Sequence, residues 1–148
     1  MTTLMKGSCS CGALSFSLQE KPLFSMYCHC TKCQRAHGAV FVAAMHFSPS
    51  ALTWTHTAEN EPLEEKLTRV ALYRCKQCHC SPVTQIFASK NWVISPVHLE
   101  RDADGNIIDW EDVKPTCHIW YGNRVLDVAD SLPKWEGFPR TSTRLDSD

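Results

Sequence analysis

The chain has 148 residues, 43% of them hydrophobic and 21% charged, the size and balance of one soluble globular domain that buries about two thirds of its unfolded surface. The formal net charge is −1, with Lys and Arg scattered rather than clustered, so the basic footprint needed for nucleic acid or an anionic lipid surface is missing. No apolar stretch approaches the roughly 20 residues of a membrane span. The first six residues lead into polar Gly7-Ser8 without a signal-peptide core, so a cytoplasmic, reducing location is expected, where structural disulfides are rare.

In chain order, Cys9-Ser10-Cys11 comes first, and Leu14, Phe16 and Leu18 then alternate with Ser15 and Ser17 as a strand with one buried face. Residues 23–29, with Phe24, Met26 and Cys28 on one side, lead into Cys28-His29-Cys30-Thr31-Lys32-Cys33. That cluster reads as a turn entering a brief helix, with Gly38 as its C-terminal cap. Two strands are expected over 39–47 and 52–57, around a Ser48-Pro49-Ser50 turn. The run 58–65 holds Pro62 and Glu59, Glu61, Glu64 and Glu65 and reads as a solvated loop.

Segments 66–74 and 83–88 flank Cys75-Lys76-Gln77-Cys78-His79-Cys80 as the two arms of a hairpin, placing Cys75 and Cys78 on the tight turn. A strand over 93–99 is interrupted by Pro96, Asp104-Gly105-Asn106 is a turn, and 116–121 is a further strand. One helical turn is expected within 128–135 and a loose tail over 141–148. No repeat or linker divides the rest, so residues 1–140 are expected to form a single domain. Tryptophans such as Trp92, Trp110 and Trp120 are expected in the core or in a site wall.

Eight of the nine cysteines lie in those three clusters. Thiols one to three residues apart converge on a soft cation, and zinc held by thiolates closes its shell with four ligands. Eight thiols allow two closed sites, or one closed and one open. Spacing alone leaves open which clusters pair. Cys9 and Cys11 with Cys75 and Cys78 would make a four-sulfur site and leave Cys28, Cys30 and Cys33 as a trio.

The pieces Gly7-Ser8-Cys9-Ser10-Cys11-Gly12, Cys28-His29-Cys30-Thr31-Lys32-Cys33 with Gly38 beyond it, and Arg74-Cys75-Lys76-Gln77-Cys78 resemble the CENP-V/GFA domain family of glutathione-dependent formaldehyde-activating enzymes and their relatives. His118-Ile119-Trp120 and Leu132-Pro133-Lys134-Trp135 resemble its closing strand and terminal segment, so the likeness runs from about residue 5 to 139. The resemblance implies a mainly β fold of two twisted antiparallel sheets (a β-tent) with few short helices. It also implies two zinc ions per chain: a structural one on Cys9, Cys11, Cys75 and Cys78, and a second on Cys28, Cys30 and Cys33 with an open fourth position. Carbon–sulfur lyase chemistry is the activity it implies.

Two departures stand out. The family commonly has Gly after the third cluster's second cysteine, at a turn with φ > 0, and this chain has His79, a residue that tolerates that region. Where relatives often carry a Pro-Trp pair after the His-Ile strand, this chain has Arg124-Val125, which puts the family's substrate in question.

Three thiolates overcompensate a zinc ion's charge, so the open site suits capture of a thiol better than polarisation of a carbonyl. The function expected is formation or cleavage of a thiol–aldehyde adduct, with glutathione and formaldehyde, or a larger carbonyl metabolite, as partners. A proton donor titrating near neutrality is then needed, and His29, His37, His46, His79 and His118 are the candidates. His29 is embedded in the cysteine cluster and is the expected catalytic residue, weighed against a structural role. His118 reads as a satisfied core histidine, and Cys80 and Cys117 as small buried residues. The alternatives are a non-catalytic zinc-binding interaction module and, more weakly, a dithiol redox protein, whose Cys-x-x-Cys would open a helix in a βαβ setting. Neither nucleic acid nor membrane is an expected partner, and whether the chain forms a homodimer is left open.

Overall fold

The computed structural model describes residues 3–146. Its strands are β1 (Met5–Ser8), β2 (Ser15–Leu18), β3 (Phe24–Cys28), β4 (Val42–Phe47), β5 (Leu52–Trp54), β6 (Leu63–Lys66), β7 (Val70–Arg74), β8 (Val83–Ile86), β9 (Trp92–Ile94) and β10 (His118–Ile119), with helices α1 (Thr31–His37) and α2 (Trp110–Val113). They form a three-stranded sheet, β1-β2-β5, and a seven-stranded sheet, β10-β3-β4-β9-β8-β7-β6. The fold is mainly β with two sheets and few short helices, as expected. By its contacts the chain resolves into two compact units, one of Met45–Val113 with the residues up to Leu23, the other of Phe24–Ala44 with the residues from Lys114 onward.

In the first unit the period-two pattern of residues 14–18 does what it implies. Phe16 and Leu18 enter a core with Met45, Phe47, Val83, Ile94 and Val113. β1, not expected from the sequence, pairs antiparallel with β2, bringing Gly7 opposite Phe16. A side chain at Gly7 would begin 2.6 Å from Phe16 Cζ and 2.7 Å from the His98 carbonyl oxygen, so only hydrogen fits.

β6 to β9 run as an antiparallel meander. The run 58–65, expected as a loop, instead holds a 3-10 turn at Ala58–Asn60 and the start of β6. β6 is exposed along its whole length, so its signal lies in backbone pairing to β7 and the Arg74–Glu65 ion pair at 3.0 Å rather than in apolar alternation. β9 stops before Pro96, which opens a 3-10 turn over Pro96–His98. α2 was not foreseen, since at four residues it carries no periodicity to detect.

In the second unit β10 lies parallel to β3, with His118 beside Tyr27 and Ile119 beside Cys28. The strand expected over 116–121 is cut short at Ile119, because Trp120 takes a left-handed conformation (φ 53°) and a 3-10 turn follows at Tyr121–Asn123. The helical turn expected within 128–135 is absent among the described residues. Pro133 has no N–H to give and biases its predecessor to extended backbone, and Lys134 instead bridges in parallel to His118. Of the segment expected as a loose tail, Thr143 accepts from the Glu136 N–H, Leu145 donates to the Lys134 carbonyl, and Asp146 accepts from the Lys134 N–H; residues 147–148 lie outside the described chain.

Candidate metal centre

Among the described residues two groups of side chains can hold a metal ion: Cys9, Cys11, Cys75 and Cys78 in the first unit, and Cys28, Cys30 and Cys33 in the second. Within each group the sulfurs all lie within 4.8 Å of one another. In the four-sulfur group, Cys11 Sγ is 3.7 Å from both Cys9 Sγ and Cys75 Sγ. Metal–sulfur bonds of about 2.3 Å at the corners of a tetrahedron put sulfurs about 3.8 Å apart, so these thiols are spaced as zinc would require.

Local structure produces that spacing. Cys9 and Cys11 sit on a turn closed by the Gly12 N–H donating to the Cys9 carbonyl, while Leu14 N–H donates to Cys9 Sγ at 3.3 Å. Cys75 and Cys78 occupy the β7–β8 turn, where Cys75 N–H donates to the Cys80 carbonyl and Gln77 N–H to Cys75 Sγ. His79 completes the turn at φ 63°, the left-handed geometry anticipated at this position. Burial drives the Cys9 thiol up to about 11. Burial also opposes ionisation of Cys78, but amide donors from Cys80 and Cys11 outweigh it and bring that thiol to about 6. Cys80 stands outside this group and packs beside Cys9, Leu14 and Cys75, half-buried rather than buried as expected.

The trio is built by the end of β3 and the start of α1. Cys30 is the N-cap of α1, its sulfur accepting from Cys33 N–H at 3.3 Å, and Gly38 closes the helix in the left-handed region as predicted. Cys28 is the thiol that ionises first: the hydrogen bond from Cys33 brings it to about 6, and the same bond holds the proton on Cys33. Cys28 packs with Met26, Cys117 and Ile119, so Cys117 is a buried packing residue.

The other side of β3 carries rings. Tyr27 and His29 meet Phe41, His118 and Tyr121 at centroid separations of 4.7 to 5.4 Å. His29 is fully buried and does not belong to the sulfur group. Its Nε2 lies 2.8 Å from His118 Nδ1; His118 Nε2 lies 2.8 Å from Asp130 Oδ2; Lys134 Nζ donates to Asp130 Oδ1 at 2.8 Å and to the carbonyls of Asp130 and Leu132. Burial lowers the His29 pKa to about 4, reinforced by the charge of the Arg124 guanidinium, so its ring is neutral near pH 7. Burial acts to raise Asp130, but hydrogen bonds from Lys134 and His118 hold it below the usual carboxylate range. His29 Nδ1, also buried, has no hydrogen-bond partner.

Of the other histidine candidates, His37 is exposed in the last turn of α1, His79 is exposed at its strained turn, and His46 is half-buried in β4. Asp130 and Lys134 were missed as a pair. Their four-residue spacing is common on any surface, and only the burial of Lys134 distinguishes it.

A mainly β chain with one four-thiol and one three-thiol group, each competent to hold an ion such as zinc, is thus the class of protein that the fold and its thiols define. The family model of the glutathione-dependent formaldehyde-activating enzyme matches residues 4–123, and the chain belongs to that family. Its fold is similar to that of a Rhodobacter sphaeroides protein solved by structural genomics, with TM-score 0.52 and 22% identity over 68% of this chain and 93% of that one. No curated protein matches the chain. Family membership points to chemistry between a thiol such as glutathione and a formaldehyde-type carbonyl. Among the described residues no helix is long and apolar enough to cross a membrane.

Proposed function

We propose that this protein is a zinc-dependent carbon–sulfur lyase that forms or cleaves an adduct between a small thiol of the glutathione type and an aldehyde at Cys28, Cys30 and Cys33, while Cys9, Cys11, Cys75 and Cys78 hold a structural ion. The observation that carries the reading is the inequality of the two groups, four sulfurs in one and three in the other, within a family named for glutathione-dependent formaldehyde activation. A zinc ion bound by the trio would supply a positive centre that holds a substrate sulfur as its thiolate.

The chain's own residues do the rest. Cys30 and Cys33 are only half-buried, which leaves an approach for a small molecule. The Cys33 N–H on Cys30 sulfur, and the Gln34 side-chain amide donating to the carbonyls of His29 and Asn123, hold the cysteine-bearing turn in place. Addition of a thiolate to an aldehyde develops an alkoxide that must gain a proton, and the reverse reaction must remove it. His29 is the group proposed for that exchange, because its neutral ring ends in a nitrogen with no partner inside the protein. Nine free thiols suit the cytoplasmic location included in this reading.

The test is direct. The purified chain should carry two zinc ions, and proton NMR of glutathione mixed with formaldehyde should show the hydroxymethyl adduct equilibrating faster than without protein. Cys30→Ser should abolish the acceleration while leaving a folded chain that keeps the ion of the four-sulfur group. An unchanged rate in Cys30→Ser, or no acceleration with any thiol–aldehyde pair, would overturn the assignment.

A further inference from the structure

Lys134 stands beside His118 in a parallel bridge and turns to that residue's side of the sheet, where its ammonium meets Asp130. Successive side chains of an extended segment point to opposite faces, so Trp135 turns to the other side. There it packs against Met26, Cys28, Cys117 and Ile119, the same buried set against which Cys30 and Cys33 lie. Its backbone is held by two bonds: Trp135 N–H donates to the His118 carbonyl at 2.9 Å, and its own carbonyl accepts from Tyr121 N–H at 2.9 Å. Val42, at the start of β4, packs against that set as well. Trp135 and Val42 are half-buried, as are Cys30 and Cys33, so this face offers a small molecule two thiols, an indole and an isopropyl group.

We propose that Trp135, with Val42, is the surface that selects the carbonyl substrate, and that the aldehyde taken at the trio carries an aromatic or branched apolar substituent. The selection rests on the function proposed above. In that reaction the thiolate sulfur bonds to the aldehyde carbon, the carbonyl electron pair moves to oxygen, and the oxygen takes a proton. The substituent on the carbon does not react and has to be accommodated. Formaldehyde carries only hydrogen there and leaves the indole in water. A ring laid on the indole takes apolar area of both out of water, and about 55 Å² suffices for the tenfold gain that 1.4 kcal/mol represents. Tryptophan offers such area at small entropic cost, because two dihedrals fix its ring.

Two aldehydes that differ by one phenyl group, acetaldehyde and phenylacetaldehyde, test the selection when each is given to the zinc-loaded full chain with glutathione. Phenylacetaldehyde should show a kcat/KM about tenfold higher, and in Trp135→Ala that ratio should fall to about one. A second measurement needs neither turnover nor a variant. S-benzylglutathione and S-methylglutathione are unreactive thioethers, the first with the ring and the second without it. The benzyl compound should bind the wild-type chain about tenfold tighter, with nuclear Overhauser contacts between its ring protons and the Trp135 indole.

Equal binding of the two thioethers, benzyl contacts only to residues away from Trp135, or an aldehyde ratio unmoved in a folded Trp135→Ala would overturn the proposal. The thioether comparison uses the wild-type chain, so it decides even if the variant fails to fold. Acceleration with acetaldehyde at least as great as with phenylacetaldehyde would also overturn it, while upholding the lyase reading. Benzyl contacts at Trp135 in a chain that accelerates no thiol–aldehyde pair would do the opposite, sinking the reaction and upholding Trp135 as the recognition surface.

Discussion

Cys11 and Cys75 are 64 residues apart in sequence, yet their sulfurs lie 3.7 Å apart. An ion held between them with Cys9 and Cys78 ties the turn after β1 to the turn after β7, and binding energy at such a site is folding energy. Cys75→Ser should therefore lose one of two metal equivalents and at least about 4 kcal/mol of stability. For a chain of this size that is a fall of roughly 8–16 °C in Tm. Metal analysis beside calorimetry checks both, and full metal content with an unchanged Tm would count against a structural ion there.

Gly7→Ala should destabilise by about 1–3 kcal/mol although it adds a single methyl group. The new carbon would begin 2.7 Å from the His98 carbonyl oxygen, a backbone atom that cannot swing aside, and 2.6 Å from the fully buried ring of Phe16. The strain is one of space, not of backbone dihedral. Urea titration of the zinc-loaded variant should show a lower midpoint with an unchanged slope.

Much of this was legible in the residues themselves because cysteine spacing and period-two alternation are local signals. Residues 14–18 announced β2, Gly38 announced the end of α1, and the three cysteine clusters marked turns that the structure places beside strand ends. β1 and β6 were not legible: Met5–Ser8 holds a glycine where an apolar side chain would have shown the alternation, and Leu63–Lys66 buries nothing. The hydrogen-bonded row from Lys134 to His29 was hidden for another reason. Its members come from positions 29, 118, 130 and 134, and only the parallel pairing of β10 with β3 brings the first two together.

His79→Gly should leave the fold intact and stabilise it slightly. A side chain held at φ 63° costs about 1–2 kcal/mol, and the greater freedom of glycine in the unfolded chain returns about half of that. The backbone bonds of the turn, His79 N–H to the Cys75 carbonyl and the Arg74 guanidinium to the His79 carbonyl, do not involve the imidazole and should survive. A rise of about 1–3 °C in Tm is expected. A fall would mean that the exposed ring contributes to the turn.

Acid should weaken the fold partly through His46. It sits in β4 opposite Val93, half-buried, and burial lowers its pKa to about 4. In the unfolded chain the ring takes a proton near its ordinary value of about 6.5. Between these values the unfolded state binds a proton that the folded state refuses, so the contribution is complete above about pH 6.5 and is lost as pH falls toward 4. One such proton tilts stability by at most about 1.4 kcal/mol per pH unit. His29 adds in the same direction, and protonation of metal-binding thiols adds more, so the wild-type slope should exceed that of a single group. His46→Gln removes only its own share. Urea midpoints measured from pH 7 to 4.5 should therefore show a shallower decline in the variant than in the wild type, and parallel curves would mean that the ring meets water in the folded protein.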